Sequence, residues 1–262
     1  MIRYSIISYY FILLLLPFAS VAAVYSPILE QIKPGTITII GENHKRVESV
    51  ELFQSLAFDV VSHHQCVVIG LEIASDQQSI LDAVMQGRAS SNKVALWPPV
   101  DYPSYRLMLD NFAALKRQGQ CIKVIAIDSG PKNSVDRDLW MALSLAEQAA
   151  DSPVLVLLGA LHTLKRVNWK NTTGRASVAE ILTARGFSVK SYPQRWFPDK
   201  CAGNRIGAFV SDKSPQALAT LNNSLMSLIN AKRHRSVSGV VDGFILWECD
   251  NLSRDDLPHS SR

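Results

Sequence analysis

The chain has 262 residues, of which 47% are hydrophobic and 19% charged, with a formal net charge of +4. That length suits one large domain with a substantial core. The charge is mild, and its only dense basic run, AKRHR at 231–235, reads as a solvated helix end, so nothing points to nucleic acid.

Residues 1–23 read as a secretory signal. Arg3 supplies a short positive region, IISYYFILLLLPFA an apolar stretch broken by Pro17, and SVAA the small residues at which a signal peptidase cuts after Ala22 or Ala23. The segment is short for a membrane span, so no permanent span is expected once it is removed. A secreted or periplasmic protein follows. Residues 24–250 then form a single α/β domain, and 251–262 a polar tail.

Short apolar runs recur along the domain: TITIIG (36–41), CVVIGLE (66–72), IKVIAID (122–128), PVLVLLG (153–159), FSVKSY (187–192) and VDGFILWE (241–248). Most are continuous rather than alternating, which suits strands buried on both faces of a parallel sheet. Helical spacing lies between them. Residues 46–61 repeat Val47, Val50, Phe53, Leu56, Ala57, Val60 and Val61 on one side. Asp76 can cap the following helix, QQSILDAVMQ, with Gly87 as its stop. Residues 88–103, with WPPVDYP, break the pattern and read as a mobile flap. Further helices are expected over 104–118, ending at Gly119, and over 135–149. SVAEILTARG carries a capping box, Ser177 with Glu180, and a stop at Gly186. Ser214-Pro215 opens a last helix reaching residue 230. The alternation predicts a mostly parallel central sheet with helices on both faces and a helical flap insertion.

Cys66, Cys121, Cys201 and Cys249 contain no CxxC pair, which disfavours a zinc cage. An exported chain permits disulfides. Cys66 and Cys121 open two strand runs at equivalent places. If those strands are parallel neighbours, the two sulfurs start side by side, and Cys201 and Cys249 pair near the C-terminus. The alternative is four reduced, buried cysteines.

Ligands of open parallel sheets bind at the carboxyl ends of the strands. Here the first strand ends in GENH, with Glu42 and His44, the second at Glu72, the third at Asp128, and the fourth in GALH, with His162. Parallel strands deliver all of these to one rim. Two imidazoles with two or three carboxylates can bind a divalent ion or activate water by acid–base catalysis. A metal would take Glu42, His44 and His162. Arg137 and Asp138 open the next helix, where an arginine can pair with a strand-end carboxylate or with an anionic or carbonyl group of a ligand.

GENH, Glu72, RDLWMA and GALH together resemble the superfamily of Tiki proteases, TraB-like proteins, erythromycin esterases and ChaN haem-binding proteins. Order and spacing match from about residue 36 to residue 166, and YPSYRLMLDNFAALKRQG is similar to the ChaN branch. The resemblance implies that Glu42, His44, Glu72, Arg137 and His162 line the pocket. It implies divalent-metal proteolysis in the Tiki branch, a metal-free histidine base in the esterase branch, and haem bound by tyrosine in the ChaN branch. The chain lacks the ChaN lipoprotein cysteine and carries Asp128 where ChaN-like chains tend to have asparagine.

Three readings follow. The first is an exported hydrolase cleaving a peptide or ester, with His44 as base or metal ligand and with Asp128 and Asp138 in support. The second is an exported haem or iron-uptake protein using Tyr102 and Tyr105. The third is a secreted, non-catalytic interaction module. The expected partner is a small molecule, a peptide or haem.

Overall fold

The computed structural model describes residues 21–63, 65–130, 133–170 and 174–250. Most of the expected leader and the whole polar tail lie outside these residues. No helix among the described residues is long and apolar enough to cross a membrane.

Seven strands form one sheet: β1 (Thr36–Glu42), β2 (Val67–Ala74), β3 (Ile122–Asp128), β4 (Val154–Gly159), β5 (Ser188–Phe197), β6 (Arg205–Ser211) and β7 (Gly243–Cys249). Their order is β3-β2-β4-β1-β5-β7-β6. All neighbours pair in parallel except β6, which runs antiparallel to β7. Strands β1 and β4 are buried along their whole length, as continuous apolar runs require in a covered sheet. The helices are α1 (Val21–Leu29), α2 (Val47–Ser62), α3 (Gln78–Met85), α4 (Pro103–Arg117), α5 (Arg137–Ala146), α6 (Val178–Ala184) and α7 (Pro215–Thr220).

Helices α1 to α4 share one core with their face of the sheet, around Phe53, Tyr105, Phe112 and Leu157. Helices α5 and α6 pack a second core on the opposite face, around Met141, Leu145, Val156 and Leu182. A third cluster, including Leu164, Leu221, Leu225 and Phe244, joins α7 to the sheet near β7. The crossover after β1 therefore takes one face, through α2, and the crossover after β4 takes the other, through α6. Strands β1 and β4 are neighbours in register, with Glu42 beside Gly159. Chains that leave adjacent strand ends toward opposite faces open a crevice between them, and this one lies between GENH and GALH.

Several local expectations change. Asp76 does not cap α3; the helix starts after a 3-10 turn at Ser75–Gln77 and shows no side-chain cap. The Ser177 hydroxyl does accept from the Glu180 amide and caps that helix. The helical part of the flap is one 3-10 turn, Ser91–Lys93. The last helix shortens to α7, followed by a wide turn at Leu221–Leu225. β6 escapes the apolar-run reading because it is an edge strand whose side chains mostly stay partly exposed and whose centre is Gly207. A Cβ on Gly207 would stand 2.0 Å from the Tyr25 hydroxyl, so the small residue makes room for α1. β5 continues to Phe197, beyond the expected end at 192, because Pro193 falls where pairing passes from β1 to β7.

Both cysteine pairs are joined. Cys66–Cys121 ties the starts of β2 and β3 with Cα atoms 4.5 Å apart, and Cys201–Cys249 ties the end of β7 to the loop before β6.

Candidate active site

Glu42 is the last residue of β1, and His44 lies two positions on, in the loop to α2. Lys45 has φ of 65°, in the left-handed region. Such a conformation is uncommon outside glycine and turns the chain sharply. The His44 ring folds back onto Glu42, with Nδ1 2.9 Å from Glu42 Oε1. The other carboxylate oxygen of Glu42 accepts from the Tyr102 hydroxyl at 3.1 Å. Glu42 is only 2% exposed, and these two donors satisfy it.

On β2 the register with β3 slips by one residue between Leu71 and Ala74. A bulge there re-aims side chains next to a site, and Glu72 sits in it. One Glu72 oxygen accepts from Arg137 Nη2, and the other accepts from the Gly159 amide at 2.9 Å. Asp128 takes the Arg137 Nε at 2.8 and 2.9 Å and the Gly130 amide at 3.1 Å. Arg137 therefore serves two buried carboxylates from the first turn of α5. Burial alone would lower its pKa, but Asp128 and Glu72 outweigh that and raise it. Asp136 caps the helix, accepting from the Asp138 and Leu139 amides. This frees Asp138 to accept from His162 Nδ1.

The structure thus brings Glu42, His44, Glu72, Asp128, Arg137, Asp138 and His162 to one rim. Both imidazoles stand beside Gly159. A Cβ built on Gly159 would lie 3.4 Å from His44 Nε2 and 3.5 Å from His162 Cδ2. Gly41 has a different purpose. Its Cβ would meet Thr163 Cγ2 at 2.8 Å and Pro193 Cα at 2.9 Å, so it lets the Ala160–Thr163 turn close over the sheet. Burial lowers the His44 pKa, yet the Glu42 hydrogen bond and the Glu42 and Glu72 charges prevail, and the net shift is upward. For His162, burial is again outweighed, here by Asp138 and then Glu72, so its pKa is also raised.

The cleft over these groups has a volume of about 250 Å³ and is lined by Glu42, His44, Gly159, His162, Arg195 and Leu228, among others. The donor set that gathers within 4.8 Å is Glu42, His44 and Glu72. It differs from the expected trio, because His162 is turned toward Asp138 and Glu72 takes its place. Two carboxylates and an imidazole fit a divalent cation by donor type. The same oxygens already accept from His44, Tyr102, Arg137 and the Gly159 amide, and the Arg137 guanidinium supplies positive charge to Glu72.

Tyr105 is fully buried, and its hydroxyl meets no partner among the described residues. Tyr102 packs on it, ring centroids 5.8 Å apart, and points its hydroxyl at Glu42. Tyr102 thus supports Glu42 from the start of α4, and Tyr105 packs behind Tyr102. Burial, and then the charge of Glu42, pushes the Tyr102 phenol well above its ordinary pKa.

Two residues escape sequence reasoning. Trp97, in the flap, sets its ring edge-on to His44 at 5.7 Å and lies under the Arg137 guanidinium at 4.8 Å. The run WPP marks the flap, and an aromatic there was the available signal. Arg195 lay beyond the expected end of β5, hidden behind Pro193.

No protein-family profile matches the chain, and no curated protein does. Solved structures do. A ChaN of Campylobacter jejuni with cofacial haem is similar at TM-score 0.49 and 14% identity, over 65% of this chain and 85% of its own. A Bacillus cereus protein matches at TM-score 0.57 and 10% identity, over 87% and 91%. A mutant of the erythromycin esterase EreC in its open conformation matches at TM-score 0.52 and 10% identity, over 84% and 91%. The likeness to the last two shows a shared fold.

Proposed function

We propose that this protein is an exported hydrolase in which the Glu42–His44 pair activates a water molecule for attack on an ester or amide carbonyl. The observation that carries the reading is the orientation of His44. Its Nδ1–H donates to the buried Glu42 carboxylate, which fixes the tautomer and leaves Nε2, beside Gly159, as the base in the cleft. Asp138 holds His162 in the same way. With His162 protonated, its remaining N–H stabilises the oxyanion or the leaving group. Glu72 and Arg137 are positioning residues, since Glu72 fixes the Gly159 amide and Arg137 fixes Glu72. The Arg137 charge already held by Glu72 opposes a cation there and favours a mechanism without metal. A divalent ion held by Glu42, His44 and Glu72 would polarise the carbonyl or the water instead. Export is supported by two disulfides, which persist in oxidising compartments.

The haem reading is weaker on physical grounds. Iron favours a phenolate, whereas Tyr102 is held as a neutral donor to Glu42 and Tyr105 is buried beneath it. The test is turnover of a panel of p-nitrophenyl esters and peptide anilides by wild type, by His44→Ala, and by wild type with chelator. Wild type should cleave, His44→Ala should lose about 10²-fold or more, and chelator should change nothing. Equal turnover by His44→Ala overturns the mechanism. Tight haem binding, seen as a Soret band, with no cleavage overturns the reading in favour of haem uptake.

A further inference from the structure

Side chains alternate along β5. Gln194 donates to Ser49 Oγ at 2.7 Å and accepts from Trp247 Nε1 at 2.8 Å, while Trp196 lies under Arg46. Both belong to the α2 face. Arg195, between them, takes the opposite face and lines the cleft with Leu161, Leu225 and Leu228. Arg195 Nε is buried and meets no hydrogen-bond partner among the described residues. The charge it feels is that of Asp199, whose carboxylate is already held by Arg46. Arg106, Arg137 and Arg205 each hold protein acceptors. A guanidinium stays charged in any protein environment, and leaving one half-buried without an acceptor is costly. The cleft carboxylates already accept from their own donors, so an incoming anion meets a cation whose Nε has no acceptor among the described residues. At the rim, Leu161 is 42% and Leu228 65% exposed, an apolar shelf open to solvent.

We propose that Arg195 receives the anionic group of an amphipathic ligand, a carboxylate or a phosphate, whose apolar segment lies along Leu161 and Leu228. The planar fork of arginine suits either oxyanion through paired N–H donors. Calling this ligand the substrate rests on the hydrolase reading: the anion anchors one end while the carbonyl meets His44.

The test is calorimetric titration with hexanoate, hexyl phosphate and neutral hexanamide, on wild type, Arg195→Gln and His44→Ala. In wild type at least one anion should bind about tenfold or more tightly than hexanamide, and the tighter of the two names the oxyanion class. The preference should vanish in Arg195→Gln and persist in His44→Ala. Equal binding of all three probes by wild type, or an unchanged preference in Arg195→Gln, overturns the inference. Should Arg195→Gln fail to fold, Arg195→Met carries the same comparison. Anion preference without turnover of any ester overturns only the hydrolase reading. Turnover without anion preference overturns only this one.

Discussion

At the scale of single residues, the site is a set of buried carboxylates, each answered by a specific donor. Arg137 answers two of them. Arg137→Gln should therefore leave Glu72 and Asp128 under-compensated and cost about 3–5 kcal/mol, read as a lowered urea midpoint. A loss below about 1 kcal/mol would mean that the pairs behave as exposed ones. Gly159→Ala tests the space between the imidazoles. Its methyl would sit 3.4 Å from His44 Nε2, in ordinary contact, so the fold should survive while turnover falls by about tenfold or more. Full turnover would show that no reacting group passes over Gly159. The His162–Asp138 pair predicts a pH effect. The folded state raises the His162 pKa, so it binds this proton more tightly than the unfolded chain does. That stability is complete below the unfolded value of about 6.5 and is lost as pH rises through the folded value. Glu72, Arg137 and His44 also act on His162, and all remain in Asp138→Asn. The gap in melting temperature between wild type and Asp138→Asn should be widest near about pH 6 and should narrow toward about pH 9. A gap that widens with pH would refute the pairing.

At the scale of elements, the ends of β1, β3 and β4 were legible because continuous apolar runs stop at Glu42, Asp128 and Gly159, while β2 runs two residues past Glu72 to Ala74. The partners of those residues were not legible. Which acceptor Arg137 chooses depends on the β2 bulge, and a one-residue slip in register has no signature in composition. Arg195 was hidden because a proline inside a run usually ends a strand, while here Pro193 sits at a change of pairing partner. Trp97 was hidden because the WPP flap has no periodicity, and its contacts are tertiary. The flap carries its own prediction. Trp97 shields His44 and lies against Arg137, so Trp97→Ala should lower turnover with little change in the melting temperature. A large drop in melting temperature with intact turnover would assign Trp97 to the core.

At the scale of the molecule, the two edges of the sheet divide the labour. The carboxyl edge holds the acid–base groups and the cleft. The amino edge holds Cys66–Cys121, where β2 and β3 begin, and Val67 N–H donates to the Cys121 carbonyl beside it. This bridge closes a segment of 55 residues that contains Glu72, the flap and α4. In the unfolded chain, a closed loop of that size removes about 4 kcal/mol of conformational freedom. The bridge lies a strand's length from His44, and a strand of eight residues spans about 26 Å. Cys66→Ala/Cys121→Ala should therefore lose about 2–5 kcal/mol of stability, read by urea unfolding, and keep the turnover and the probe affinities of wild type at a temperature where it is folded. The paired exchange removes both sulfurs, so no free thiol confuses the result. If turnover instead falls in proportion to stability while the chain remains folded, the sheet transmits strain from one edge to the other. The rim would then depend on the bridge, and the separation of scaffold and site along the strands would fail.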